Sequence, residues 1–365
     1  MEKNSRLITI DIIHDAAQFI QLREAWNAVL EKSGIHNPFL RHEWLSAWWK
    51  GYGADNELFV VCFRRGEDFI GFVPLMQYTT KLMGCSMDII GFISNHWTRM
   101  DFILTEEREV CLKMLLDALE KSRKIIVFAQ LDAGSANFIK LGEDLKKRNV
   151  RFAKTRKLNA FFPLEGTWEE YLKNQSRNFR QDFNKKLRRL EKNGPVSLVS
   201  AEASDNQVLE KVKLVAQKSW QSGDNVSVAM TEEGQRFYCE VMASWPQSDA
   251  LDFTFLKVGD QPIAYMIGIK EKNCYFAFET AYNSEFQQYS PGVILHNLLF
   301  ARLFKEGIKR FDFGYIAEYK KRWTEEILET KDITIFPEGI WGTILFSANR
   351  MKEFRNERKL KAEVA

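Results

Sequence analysis

Two short segments far apart in this chain follow one plan, and that repetition constrains the fold more than any other feature. FVVCFRRGEDFIGFV (59–73) and FTFLKVGDQPIAYM (253–266) each join two β-rich runs through a tight Gly-acidic turn, Gly66-Glu67 and Gly259-Asp260. One such run is an ordinary hairpin. Two that share the order Gly-acidic-x-x-Ile-small-aromatic predict a duplicated domain. The surroundings repeat as well: helical patterns over 16–33 and 44–51 precede the first hairpin, and patterns over 168–192 and 206–223 precede the second. A helix and then a strand follow each, at 106–121 and 125–130 and again at 291–306 and 310–313. Strand, helix and strand, arriving twice, imply crossovers in mixed α/β sheets with helical faces. The boundary is expected within 149–162, giving halves 1–155 and 156–345 and a charged, helix-prone tail, 346–365.

The length of 365 residues suits two domains, and 45% hydrophobic with 13% aromatic residues excludes a disordered chain. The net charge of +3 is too small for a polyelectrolyte, so any taste for anions must come from local clusters. Two exist. The run 176–192 carries Arg177, Arg180, Lys185, Lys186, Arg188, Arg189 and Lys192 against Asp182 and Glu191, and the run 146–157 is basic without an acid. Either suits nucleotide phosphates or an anionic membrane, and either reads equally as a solvated face. No zinc-finger, helix-turn-helix or RNA-binding pattern is present, so no specific nucleic acid is expected. Five scattered cysteines without paired spacing suit reduced, mostly buried thiols. No segment reads as a secretory leader or approaches the ~18 apolar residues of a membrane span. The expected location is cytoplasmic, with peripheral contact at the inner face of an anionic membrane left open. His36 and His42 with Glu43 lack metal-ligand spacing, and no metal is expected. Trp44, Trp48 and Trp49 fall at helical spacing and read as core.

The functional signal is densest in QQYSPGVILHNLLFARLFKEGIKRFDFGYIAEYKKRW (287–323). A helix opening at Pro291-Gly292 directly after a turn exposes backbone N–H groups at its positive end. Such an end seats a phosphate or pyrophosphate, here on Gln287, Ser290, Pro291, Gly292 and Val293. Ile294, Leu298 and Ala301, with Leu295, Leu299 and Leu303, give the helix a broad apolar face. A core helix that merely begins with Pro-Gly is the plainer reading of these residues.

NPFLRHEWLSAWW near the start, YLKNQSRNFRQDFNKKLRRLEKNG in the middle, and PIAYMIGI, AYNSEFQQYSPGVILHNLLF and FDFGYIAEYKKRW towards the end together resemble the FemAB-like branch of the GNAT superfamily. Within it they resemble the CelD/BcsL-type acyltransferases. The resemblance implies two tandem GNAT-like halves, the first on the acceptor side and the second binding acyl-CoA. The GNAT pyrophosphate loop runs Gln/Arg-x-x-Gly-x-Gly/Ala; Gln287, Ser290 and Gly292 take the marked places, with Ser for the middle Gly and Pro291 stiffening the turn.

N-acyl transfer needs a base for the amine, donors for the developing oxyanion and an acid for the departing thiolate. Glu279, a carboxylate interrupting the aromatic run FAFETAYN, is the leading base, and Asp312 in FDFG the second. Each also has a plainer reading, as a solvent-facing strand residue and as a strand-end hydrogen-bond acceptor. Tyr319, Lys320 and Trp323 match the family's Tyr-Lys-x-x-Trp element, with Tyr as acid and Lys on the oxyanion or a phosphate. In SNHWTRMDF, His96, Arg99 and Asp101 would grip the acceptor if the loop faces a shared cleft, and His96 is a further candidate base. Arg177 and Arg180, where the family pattern is densest, are candidate substrate-binding residues. With no Cys or Ser in a nucleophile motif, direct attack on the thioester is expected. The acceptor is expected to be a small-molecule or lipid amine: an amino sugar, a cell-envelope precursor or a long-chain amine. Three alternatives stay open: a ceramide-type lipid N-acyltransferase at a membrane face, an aminoacyl-tRNA-dependent FemAB-type enzyme, and a non-catalytic CoA-binding protein.

Overall fold

The protein is seen in a computed structural model that describes residues 7–82, 84–94, 98–203, 205, 207–219, 227–246 and 248–351. Its chain forms two compact units: residues 1–49, 53–159 and 328–365 in the first, and residues 50–52 and 160–327 in the second.

The first unit opens with β1 (Ile8–Ile13), α1 (Ala16–Gln21) and α2 (Arg23–Ser33). The single helix expected over 16–33 is thus two, broken at Leu22. Next comes α3 (His42–Tyr52), whose Trp44 and Trp48 are buried as their spacing requires. The strands β2 (Glu57–Leu58), β3 (Val60–Arg65), β4 (Asp68–Val73), β5 (Leu75–Leu82), β6 (Cys85–Phe92) and β7 (Ile103–Leu104) follow. Then come α4 (Arg108–Lys121), β8 (Ile125–Asp132), α5 (Ala136–Lys147) and β9 (Phe152–Pro163), within which the chain enters the second unit. That unit holds α6 (Trp168–Asn174), α7 (Arg177–Glu191), β10 (Val196–Ala201), α8 (Val208–Gln217), α9 (Glu232–Ser244), β11 (Leu251–Val258), β12 (Gln261–Glu271), β13 (Cys274–Tyr282), α10 (Pro291–Lys305) and β14 (Arg310–Tyr315). The helix expected over 168–192 is also two. Thr167 closes a capping box on α6 with Glu170, and Ser176 caps α7 by accepting from Phe179 N–H at 3.1 Å.

Both hairpins form, and they match in detail. Gly66 and Gly259 turn them at φ 65° and 57°, conformations open to glycine without strain. Each ladder then slips by one residue at the corresponding place, between Phe63 and Arg64 and between Leu256 and Lys257. Each half also contains a parallel strand pair: β6 with β8, joined through α4, and β13 with β14, joined through α10. The chain is α/β, two halves of like plan with mixed sheets flanked by helices.

The halves differ in how the hairpin is used. β11 and β12 continue antiparallel into β13 in the order β10-β11-β12-β13-β14-β9. β3 and β4 instead join β1 and β7 in a separate four-stranded sheet, while β5 pairs with β2 and β6, and β6 with β8. Pro74 stands where the chain changes sheets, and having no N–H it cannot extend the β4 ladder.

The expected second half ran through 345; in the structure the chain returns to the first unit at 328, within β15 (Ile327–Ile335), a strand that the sequence reading did not contain. β15 pairs with β8, and buried Thr330 donates to Gln130 Oε1 at 2.7 Å and accepts from Asn159 Nδ2 at 2.8 Å. Cys62 and Cys111 are buried thiols, but Cys85 and Cys239 are exposed, against the expectation of mostly buried cysteines. Within the second unit, Ile294, Leu295, Leu299, Phe300 and Leu303 of α10 are fully buried against the sheet.

Candidate active site

β13 and β14 run parallel, but their ladder has only three rungs, ending at Phe276 opposite Asp312. Both strands continue past that point without pairing to each other. Their carboxyl ends therefore part, and α10 begins just beyond the end of β13. Crevices outside the carboxyl ends of parallel strands are where α/β folds bind ligands.

Glu279 lies on β13 in this opening. A bulge between Ile267 and Gly268 sets Phe278 outside the ladder with β12, so that Glu279 faces the same side as Tyr265. The carboxylate accepts hydrogen bonds from Tyr265 OH at 2.8 Å, from Tyr238 OH of α9 and from Ser227 Oγ. All three donors are buried. Burial, and then the Glu279 charge, push the phenols of Tyr238 and Tyr265 well above their ordinary range. Tyr52 rises to about 12 for the same two reasons. The phenols therefore stay protonated and keep donating. Sequence reasoning missed all three; the Tyr in PIAYMIGI, on the strand next to Glu279, was the available signal.

Asp312 is on the same face of the sheet, buried, and accepts from Gly314 N–H at 2.9 Å, which is the strand-end role that competed with catalysis. Lys320 lies beyond β14, and its ammonium donates to the carbonyls of Phe313 (2.8 Å) and Tyr315. Burial lowers its pKa to about 8, with Asp312 opposing. Tyr319 is half exposed, and Trp323 is buried. Under α10, sequence reasoning missed His296. This ring stacks on Trp323 at 4.7 Å, bonds Gly292 C=O through Nδ1 at 2.7 Å, and is held neutral by burial, its pKa near 4. It thus ties the Trp323 end of the Tyr-Lys-x-x-Trp element to the start of α10.

The turn before α10 offers fewer amides than expected. Ser290 adopts φ 56°, and its N–H bonds Gln287 C=O; Val293 N–H and Ile294 N–H both bond Ser290 C=O; Pro291 has none. The Gly292 N–H makes no hydrogen bond among the described residues. A Cβ placed on Gly292 would meet nothing nearer than Tyr282 Cδ1 at 3.8 Å, so there is room against that amide. Gln287 is exposed. Positive charge stands next to the turn: the Arg189 guanidinium is 5.8 Å from the Tyr289 ring, and a cavity of about 440 Å³ along α7 is lined by Lys185, Arg188, Arg189 and Lys192. An open amide, a helix N-terminus and a basic flank fit a pyrophosphate-bearing ligand. A separate cavity of about 710 Å³ is lined by Phe162, Tyr171 and Trp323, but by none of the candidate acids, bases or phosphate-binding residues.

The remaining candidates are placed elsewhere. Arg177 is exposed at the start of α7. Arg180 spends its guanidinium on the carbonyls of Leu172, Lys173 and Gln175, closing the end of α6 rather than facing a substrate. Arg99 and Asp101 lie in the first unit. Asp101 is a buried anchor, accepting from Asn137 Nδ2 at 2.8 Å and Phe102 N–H at 2.7 Å, and so is committed to the fold instead of an acceptor. His96 lies outside the described residues. Among the described residues no group of three or more His, Cys, Asp or Glu is placed to hold a metal.

Burial raises the Asp101 pKa from 3.8 to about 6, with the Asn137 amide working against it. The folded state therefore holds this proton more tightly than the unfolded chain. The stabilisation is complete below the unfolded pKa and is lost as pH rises through about 6. Thermal unfolding of wild type and Asp101→Asn, compared from about pH 4 to about pH 7, should show wild type losing stability relative to the variant. A pH-independent difference would contradict the assignment.

The model of the Acetyltransferase (GNAT) domain family matches residues 177–322. That stretch runs from α7 to the turn after β14 and contains Glu279, the α10 turn, Asp312, Tyr319 and Lys320. The C-terminal half of the chain is thus similar to the GNAT acetyltransferase domain. No curated protein matches the sequence. Among solved structures, the C-terminal domain (DUF2156) of a putative lysylphosphatidylglycerol synthetase from Agrobacterium fabrum is similar, with TM-score 0.56 and 10% identity, over 92% of this chain and 96% of that one. L-PGS from Bacillus licheniformis gives TM-score 0.55 and 13% identity, over 90% and 96% of the two chains. FemX gives TM-score 0.55 and 10% identity, over 89% and 96%. At these identities the likeness is one of fold, and it extends over both halves.

Proposed function

We propose that this protein is an acyl-CoA-dependent N-acyltransferase of the FemAB-like, CelD/BcsL type, acting on a small-molecule or lipid amine. The observation that carries the reading is the parting of β13 and β14 at their carboxyl ends, with a clasped carboxylate in the gap and the open start of α10 beside it. The Gly292 amide and the positive end of α10 hold the pyrophosphate, and the basic face of α7 offsets its charge. Glu279 takes the proton of the attacking ammonium or amine, held in place by Tyr238, Tyr265 and Ser227. Backbone amides along the parted strands supply donors for the thioester oxygen as the C–N bond forms and the C–S bond breaks. Tyr319 gives its proton to the departing thiolate. Lys320 fixes the turn after Gly314, so its part is to position Tyr319.

The room at Gly292 makes a direct test. Gly292→Trp should set its Cβ in open space and send the indole into the seat, lowering CoA affinity by at least about tenfold, with the melting temperature measured alongside to confirm that the variant folds. Unchanged affinity by calorimetry would remove the cofactor assignment. Thiol release from acyl-CoA across a panel of amines then tests the reaction. Tight CoA binding without turnover would favour a binding protein, and dependence on charged tRNA would favour the FemAB-type transfer.

A further inference from the structure

The last described residues of the first unit form a helix over 340–351 that is held by one face and leaves the other bare. Gly342 sits so close to the preceding turn that a Cβ would meet Pro337 O at 1.7 Å, so only glycine lets the helix approach. Leu345 is buried with Phe336, Ile89, Ile125 and Ala153, and Phe346 packs on Phe336 at 5.6 Å between ring centroids. Thr343 bonds back to Gly339 C=O through its hydroxyl at 2.9 Å. These contacts fix how the helix is rotated.

On the opposite side, Ile340 is 80% exposed, Trp341 72%, Ile344 45% and Met351 59%. At 3.6 residues per turn these four fall within an arc of about 100°, one continuous stripe away from the core. Large apolar residues gathered in this way, on a helix already anchored, are not scattered surface hydrophobics. Charged residues stand near the helix, exposed Glu338 just before it among them. Arg350 is exposed on the helix, and so is Arg151, whose carbonyl accepts from Phe336 N–H at 2.9 Å and so lies where the chain approaches the helix. The sequence continues with Lys352, Arg355, Arg358, Lys359 and Lys361 against Glu353, Glu357 and Glu363. Among the described residues no helix is long and apolar enough to cross a membrane. An apolar stripe containing Trp beside an excess of Arg and Lys is instead the make-up of a helix that lies in a bilayer interface.

We propose that the helix over 340–351 docks the protein on an anionic lipid surface. Ile340, Trp341, Ile344 and Met351 insert at the headgroup–acyl boundary, and Arg350 meets the lipid phosphates. The inference stands independently of the acyl-transfer reading, because its readout is lipid binding and uses none of the candidate catalytic residues.

Co-sedimentation of the full chain with phosphatidylcholine vesicles, with and without phosphatidylglycerol, tests it. Binding is expected to phosphatidylglycerol-containing vesicles, to weaken with salt, and to fall about tenfold or more in Ile340→Ser/Trp341→Ser/Ile344→Ser. Trp341→Ser alone, at a site that touches little of the core, keeps the test valid if the triple variant folds poorly. Absence of binding to phosphatidylglycerol vesicles would overturn the proposal, as would equal binding by the variants. A wild-type dimer that ignores vesicles and becomes monomeric in the triple variant would reassign the stripe to a contact between copies.

Discussion

Glu279→Gln is expected to lower acyl transfer by about 10²–10⁴-fold, the usual worth of a positioned general base, with CoA affinity unchanged. The amide keeps the size of the carboxylate; its oxygen in the Oε1 place still accepts from Tyr265 and Ser227, and its NH2 faces the Tyr238 hydroxyl, which can turn to accept, so the fold should tolerate it. What it loses is the ability to take a proton from the amine. Tyr238→Phe and Tyr265→Phe are expected to act less severely, because each removes one of three donors that orient the carboxylate and leaves the carboxylate itself in place. Burial keeps both phenols protonated across the neutral range, so both remain donors. Single-turnover rates with one amine and one acyl-CoA separate chemistry from binding. Full activity in Glu279→Gln would remove this residue from the reaction and turn attention to Asp312.

The wrong-face risk at Glu279 shows what the sequence could and could not carry. The two-residue turn Lys272-Asn273, with φ 43° and 64°, sets Glu271 opposite Cys274. Counting outward from that turn without interruption would pair Glu279 with Met266, on the opposite face from Tyr265. The bulge at Phe278 shifts the register by one and turns the carboxylate toward Tyr265 and α9. Nothing in FAFETAYN marks a bulge. The hairpins were legible because glycine, an acidic residue and alternating apolar residues are local signals. So was the α10 face, whose period matches its burial. The use of Arg180 as a helix cap and of Asp101 as a buried anchor depends on partners distant in space or chosen by the fold, so those residue types alone read as ligands. β15 was missed because ILETKDITI alternates weakly and lies beyond the family-like motifs.

Asp252→Ala should destabilise the second unit by about 3 kcal/mol, because it strips the buried carboxylate from a largely buried guanidinium and leaves it only Glu306, 3.3 Å from its Nε on the same helix. Asp252 is 4% exposed on β11 and accepts from Arg302 Nη2 at 2.6 Å, Tyr275 OH at 2.8 Å and Thr254 Oγ1 at 2.7 Å. Arg302 is on α10 and bonds Ser200 of β10 as well, so this one carboxylate fastens α10 to three strands. Removing Arg302 at the same time, as Asp252→Leu/Arg302→Met, should restore part of the loss, since an apolar pair leaves no charge unpaired. Chemical denaturation of the two variants distinguishes the cases; a double variant as unstable as the single would mean that the hydrogen bonds to Tyr275 and Thr254 dominate. The same helix carries the open Gly292 amide at its other end. A loosened α10 should therefore weaken CoA binding in Asp252→Ala without any contact between Asp252 and the ligand, and recovery of affinity in the double variant would trace that loss to the orientation of the helix.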